Sequence, residues 1–272
     1  MSRRFARFFG QNAVDQFADA YNPGGSSAGG WAGLLQGCNN DATDLSIAAA
    51  TLGYDTKAFY SGWNVAGKTI PWVMSGQCTR AAWVKAHTDL QAIAQPGDRF
   101  IFGNSGHGGQ YDTSSAFNGG QMLCFFDGLF YDYEQRELMK KWPAGTFVLY
   151  ILDSCYSGGL DRSILRAPIR AAPLFIKPDG ARDFALARSS DISAAIVEFC
   201  ACQDNETAED GPQNGAFTGS SLAVWDQYRD ITHPLTYQRW FDDTAALMAP
   251  NFRQHPVLNV LGSGEVMLAM AI

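Results

Sequence analysis

Val148-Leu149-Tyr150-Ile151-Leu152-Asp153-Ser154-Cys155-Tyr156-Ser157-Gly158-Gly159 is the stretch whose reading decides the fold. Five apolar residues run without a break into an acid, a hydroxyl and a thiol, and small flexible residues follow. A continuous apolar run of this length reads as a strand buried on both faces, the kind found in parallel sheets. The cysteine then stands at the strand's C-terminal edge. A second stretch has the same build, Asp98-Arg99-Phe100-Ile101-Phe102-Gly103-Asn104-Ser105-Gly106-His107-Gly108-Gly109, and it delivers a histidine. If the two strands are neighbours, imidazole and thiol emerge side by side at the rim where α/β proteins place their chemistry. A cysteine beside a general base is an activated nucleophile.

Working outward, residues 4–10 read as a first strand, and a Gly/Ser-rich loop follows at 22–30. Next comes a helix with Asn40 or Asp41 as N-cap and Gly53 at its C-terminal stop. On this passage alone the favoured reading of Asp41 is a capping carboxylate. Residues 56–60 are a strand, and 79–94 a helix stopped by Pro96-Gly97. His87 lies inside that helix as a packed or solvated side chain. Residues 111–120 form an exposed polar loop, 122–130 a hairpin around Asp127-Gly128, and 132–141 a helix. Past the cysteine, a strand at 194–199, helices at 217–228 and 237–248, and a last strand at 255–261 complete the chain. The alternation of strand, helix and Pro/Gly turn predicts an α/β fold with a mostly parallel sheet covered on both faces. No repeat or linker divides residues 1–272, so one domain is expected.

Residues 161–191 break this pattern. They form a long excursion with basic side chains at Arg162, Arg166, Arg170, Lys177, Arg182 and Arg188, and a loop of such length inside a compact domain is functional or mobile as a rule.

Composition excludes several classes. Of 272 residues, 46% are hydrophobic and 13% aromatic, which marks a folded globule rather than a disordered chain. A net charge of −7 argues against nucleic acid as a partner. The basic, apolar start lacks a signal-peptide core, and no stretch reaches the roughly 18 apolar residues of a membrane span. A soluble, cytoplasmic protein is expected. The 6 cysteines have no framework spacing and read as reduced thiols. Cys200 and Cys202 lack the second Cys/His pair that a zinc site needs.

Ser105-Gly106-His107-Gly108-Gly109 followed by Asp153-Ser154-Cys155-Tyr156-Ser157-Gly158 resembles the paired signatures of caspase-like peptidases, specifically the bacterial metacaspase (orthocaspase) branch. Two flanking motifs extend the resemblance: Gly37-Cys38-Asn39-Asn40-Asp41-Ala42, and Cys202-Gln203-Asp204-Asn205-Glu206-Thr207-Ala208-Glu209-Asp210-Gly211. The His-to-Cys separation is also near the roughly 50 residues described for caspases. The Gln-Ala-Cys pentapeptide of animal caspases is absent, and Tyr156 stands where histidine is common in the branch.

The resemblance implies a caspase-like three-layer α/β/α sandwich and a cysteine endopeptidase. In it Cys155 attacks a peptide carbonyl, His107 assists thiolate formation and protonates the leaving amine, and the N–H groups of Gly108 and Cys155 receive the oxyanion. It also implies that Asp41 and Asp153, with Cys38 and Ser105 as neighbours, line the pocket for the residue before the scissile bond. Two carboxylates facing one cavity repel unless a cation enters, so Arg or Lys is the expected ligand. No cofactor is expected. Calcium-dependent relatives carry acids in the loop after the histidine, where this chain keeps only Asp112, and another after the cysteine, where Asp161 stands; a hard cation wants about six or more oxygens, which weighs against calcium. Protein or peptide substrates and a monomer are expected, and the basic excursion suggests autocleavage after one of its Arg or Lys residues. The rival readings are a catalytically silent caspase-like module that binds basic peptide segments, a redox protein using Cys200 and Cys202, and a hydrolase of small amides.

Overall fold

The computed structural model describes residues 2–62, 76–111, 120–155, 191–203, 206–229 and 235–270. In chain order its elements are β1 (Arg4–Gln11), α1 (Cys38–Thr51), β2 (Asp55–Ser61), β3 (Gly76–Gln77), α2 (Arg80–Gln91), β4 (Arg99–Ser105), β5 (Gly108–Tyr111), β6 (Gly120–Phe125), β7 (Gly128–Tyr131), α3 (Asp132–Met139), β8 (Phe147–Asp153), β9 (Ala195–Cys200), α4 (Ala216–Tyr228), α5 (Tyr237–Met248), β10 (Val257–Gly262) and α6 (Glu265–Leu268). Seven strands form one sheet in the order β10-β9-β8-β4-β1-β2-β3. Its pairings are parallel except for β10, which runs antiparallel to β9. A second, antiparallel sheet is made of β5, β6 and β7, the last two joined by the two-residue turn Phe126-Asp127, one position ahead of the expected Asp127-Gly128.

The lack of polar alternation in residues 148–152 has a direct cause: β8 is buried along all 7 of its residues. Successive side chains go to opposite layers. Val148, Tyr150 and Leu152 pack with Trp83, Ala86 and Leu90 of α2 and Leu138 and Met139 of α3. Leu149 and Ile151 pack on the other face with Ala42, Leu45 and Ala49 of α1 and with Phe217 of α4 and Tyr237 of α5. This same alternation sends Asp153 and Cys155 toward the layer of α1 and α4.

His87 belongs to the opposite layer. Its ring stacks on Phe102 at 3.8 Å, and its nitrogens lie 2.9 Å from the Trp83 carbonyl and 3.2 Å from the Tyr150 hydroxyl. Burial pushes it down to about 3, so it is a neutral, packed core histidine.

The start of α1 differs from the sequence expectation. The helix begins at Cys38 with Gly37 as N-cap, which puts Asp41 inside the first turn instead of at the cap. The first-turn N–H of Asn39 is taken by the Asn12 side-chain oxygen at 3.1 Å, while Asp210 holds the approach to the helix by accepting the N–H groups of Gln36 at 2.8 Å and Gly37 at 3.1 Å. At the other end Gly53 adopts a φ of 79°, the left-handed stop expected there. Gly10 lets this helix meet the sheet, since a Cβ on it would lie 2.5 Å from the Cys38 carbonyl oxygen.

Residues 112–119 of the loop after the histidine, and 161–190 of the basic excursion, lie outside the described residues; so do Asp112, Tyr156 and Asp161. Among the described residues, no helix is long and apolar enough to cross a membrane.

Candidate active site

The two motif strands are neighbours. β4 and β8 pair in parallel with a register that sets Ser105 directly beside Asp153, the last residue of each strand. His107 and Cys155 each follow two positions later, at the same rim. Gly108 then presses its backbone on that of Cys155: a Cβ on Gly108 would stand 2.0 Å from the Cys155 carbonyl oxygen and 3.4 Å from its nitrogen. The turn is fixed by Gly106 N–H donating to the Asp153 carbonyl at 3.3 Å and Cys124 N–H donating to the His107 carbonyl at 3.0 Å. The cysteine and the histidine are 1% and 3% exposed.

The sulfur of Cys155 accepts the Ala208 N–H at 3.1 Å and lies 3.8 Å from the Ala208 carbonyl oxygen. Ala208 belongs to the segment after β9, which is anchored on several sides. Cys202 Sγ bonds the carbonyls of Ser154 and Glu206 at 3.5 and 3.3 Å. The Glu206 carboxylate takes both the N–H and Nδ1 of His255, at 2.6 and 2.5 Å. Gln254 accepts from Glu209 N–H at 2.7 Å and donates to the Ala201 carbonyl at 3.0 Å. Cys200 faces the layer of α2 and α3, whereas Cys202 joins the opposite cluster with Cys155.

Asp41 and Asp153 are 0% and 1% exposed. Ser105 Oγ donates to Asp41 Oδ2 at 2.5 Å, and the Gly215 N–H reaches Asp41 Oδ1 at 3.0 Å. Thr218 donates twice to Asp153 Oδ2, from its N–H at 3.0 Å and its hydroxyl at 2.7 Å. Cys38 is buried one helical turn ahead of Asp41. Gly215 and Thr218 carried no signal in the sequence, and Ala208, though inside the second flanking motif, had no role assigned there, because their part is contact made across the fold and not a residue type. Beside this segment a cleft of about 380 Å³ opens between residues 209–216 and the end of α5, with Glu209, Asp210, Leu247 and Phe252 in its wall. Among the described residues, no three His, Cys, Asp or Glu side chains group as metal ligands.

A thiol and an imidazole are thus delivered to one rim of a parallel, doubly covered α/β sheet, with two buried carboxylates beside them, an arrangement of the kind cysteine hydrolases use. The caspase domain family matches residues 19–262, and the chain belongs to this family of cysteine peptidases. It is 25% identical over 287 residues to metacaspase-1 of Schizosaccharomyces pombe, covering 88% of this chain and 66% of that protein. Metacaspase-1 of Mycosarcoma maydis is 25% identical over 279 residues, covering 84% and 66%. The chain thus spans just under two thirds of the length of these relatives. Among solved structures, a protein from Geobacter sulfurreducens superimposes with a TM-score of 0.76 at 28% identity, covering 99% of this chain and 97% of that one. Caspase-1 from Spodoptera frugiperda superimposes with a TM-score of 0.58 at 13% identity, covering 95% and 86%, a likeness of fold.

Proposed function

We propose that the chain is a cysteine endopeptidase that cleaves after Arg or Lys, with Cys155 as nucleophile and His107 as acid and base. The observation that carries this reading is the Ser105–Asp153 register, which puts the two motif ends and a buried acid at one point of the rim. His107 takes the thiol proton, and an N–H directed at sulfur, as from Ala208, favours the thiolate. The thiolate attacks the peptide carbonyl, whose oxygen develops negative charge against the N–H groups of Gly108 and Cys155. Both backbones are in contact and fixed before reaction, the condition under which such donors are effective. His107 then gives its proton to the leaving amine, and water releases the acyl group.

The specificity half of the reading rests on Asp41 and Asp153. Burying two carboxylates on one side of a site costs free energy that a guanidinium or ammonium from the substrate offsets. Residues before the cleaved one have room in the cleft that begins one residue past Ala208. Autocleavage within 161–191 and action as a monomer on protein or peptide substrates complete the proposal. A second reading, a silent module that binds basic segments, draws support from the Ala208 contact that covers the sulfur.

Fluorogenic peptide amides with Arg, Lys, Asp or Leu before the bond separate these readings, run with wild type and Cys155→Ala, with and without calcium. Turnover of Arg and Lys amides by wild type alone is the expected result. Tight binding of an Arg peptide aldehyde without any turnover would favour the silent module.

A further inference from the structure

Nothing in the acid and base reading says what holds the imidazole in place. Residues 12–37, between β1 and α1, pass over His107 as a closed loop. Backbone bonds tie it to itself: Val14 N–H to Ala32 at 3.0 Å, Gly30 N–H to Gln16 at 2.8 Å, Trp31 N–H to Tyr21 at 3.1 Å and Leu35 N–H to Asn12 at 2.9 Å. Such loops are packed by their own side chains. Tyr21 anchors this one to the β6–β7 hairpin, its hydroxyl lying 2.5 Å from the Phe125 carbonyl oxygen and 3.0 Å from that of Gly128. Tyr21, Val14 and Cys124 form a small buried cluster on which Trp31 packs.

On this base the indole of Trp31 meets the His107 ring, with centroids 4.6 Å apart and planes inclined by 59°. Gly33 closes the contact. Its φ is 52°, and a Cβ there would lie 3.2 Å from His107 Cδ2, from Trp31 and from Val14. The carbonyl of His107 is meanwhile held by the Cys124 N–H. The torsion that turns a histidine ring is broad, so ring orientation must be set by neighbours.

We propose that Trp31 is a positioning residue for His107: its indole, seated on the Tyr21 cluster, walls the imidazole and so fixes its orientation at the rim it shares with Cys155. The inference rests on the reading of His107 as acid and base, and it extends that reading to a loop that carries no family motif. A misplacement of about 1 Å in a reacting group costs on the order of 100-fold in rate. Trp31 acts through the His107 ring it packs against, so its effect is expected on turnover more than on substrate binding.

The test compares Trp31→Ala and Trp31→Phe in the full chain, with thermal unfolding as the check on folding and Trp31→Leu in reserve if the alanine variant does not fold. Two readouts are taken: kcat and KM on an Arg amide, and the widths of the His107 ring-proton signals by NMR, assigned with His107→Gln. Trp31→Ala is expected to lose about 10- to 100-fold in kcat with KM nearly unchanged, and its His107 ring signals to broaden as the ring loses its wall. Trp31→Phe is expected to keep kcat near wild type and the ring signals sharp. Ring signals as sharp in Trp31→Ala as in wild type, or a phenylalanine variant as impaired as the alanine one, overturns the proposal. If wild type cleaves nothing, the peptidase reading fails by itself, and the ring signals still decide whether Trp31 holds the ring.

Discussion

Gly108 and Cys155 touch through their backbones, with only 2.0 Å between the position of a Gly108 Cβ and the Cys155 carbonyl oxygen. No side chain fits there, because the atom it would strike is backbone of Cys155, just past the end of β8. Gly108→Ala must therefore push β5 away from the end of β8 and separate the proposed oxyanion donors. The expected result is a loss of about 100-fold in kcat/KM, measured on an Arg amide, with an Arg peptide aldehyde weakened in parallel. Full activity in a folded Gly108→Ala protein would remove Gly108 from the oxyanion role.

Asp41 and Asp153 predict a specificity change rather than inactivation. Asn is close in shape and can still accept the Thr218 and Gly215 donors, but carries no charge. Asp153→Asn and Asp41→Asn are each expected to lower kcat/KM for Arg and Lys amides by about 100-fold, the scale of an unpaired buried charge. Cleavage after an uncharged residue should fall far less. Equal losses on charged and uncharged substrates would mean that the acids serve the fold alone.

Asp210 ties down the chain entering α1, through the N–H groups of Gln36 and Gly37, and it does so from the segment whose Ala208 touches the sulfur. Asp210→Ala is expected to cost about 1 kcal/mol, seen as a fall of about 2–4 °C in the unfolding midpoint. Asp210→Asn should lose less. An unchanged midpoint in both variants would contradict the anchoring role.

His87 makes stability depend on pH. Burial lowers it to about 3 in the folded protein, against about 6.5 in the unfolded chain. As pH falls below 6.5 the unfolded state takes up the proton first, so stability is full above that value and declines until about pH 3. Between pH 7 and 5 the loss from this group is about 2 kcal/mol. Urea unfolding of wild type and His87→Gln at both values checks it: the variant should show a smaller difference between the two pH values, whatever its absolute stability.

The layers of the fold were legible where burial leaves a mark in residue type. The runs at 100–102 and 148–152 are apolar because helices cover both sheet faces, and the Pro/Gly pairs between elements mark where the chain turns back. β5 was not legible, since Gly108-Gly109-Gln110-Tyr111 has no strand pattern and becomes a strand only by pairing with β6. Asp41 was read as a cap because nothing local to it reveals that the first-turn N–H of Asn39 is taken by Asn12, 27 positions earlier. The histidine and cysteine could be placed in advance because each ends a strand. Trp31, in a glycine-rich loop, could not, because its meaning lies in a ring contact across 76 positions of chain.

The most direct test of the central claim is peptide mapping after inactivation by an Arg or Lys chloromethyl ketone. Cys155 is expected to carry the label in a one-to-one ratio with full loss of activity, the rate dropping when His107 is replaced by Gln and when free arginine peptide competes. Label on another cysteine, or none on Cys155 in a protein that still cleaves Arg amides, would contradict the account.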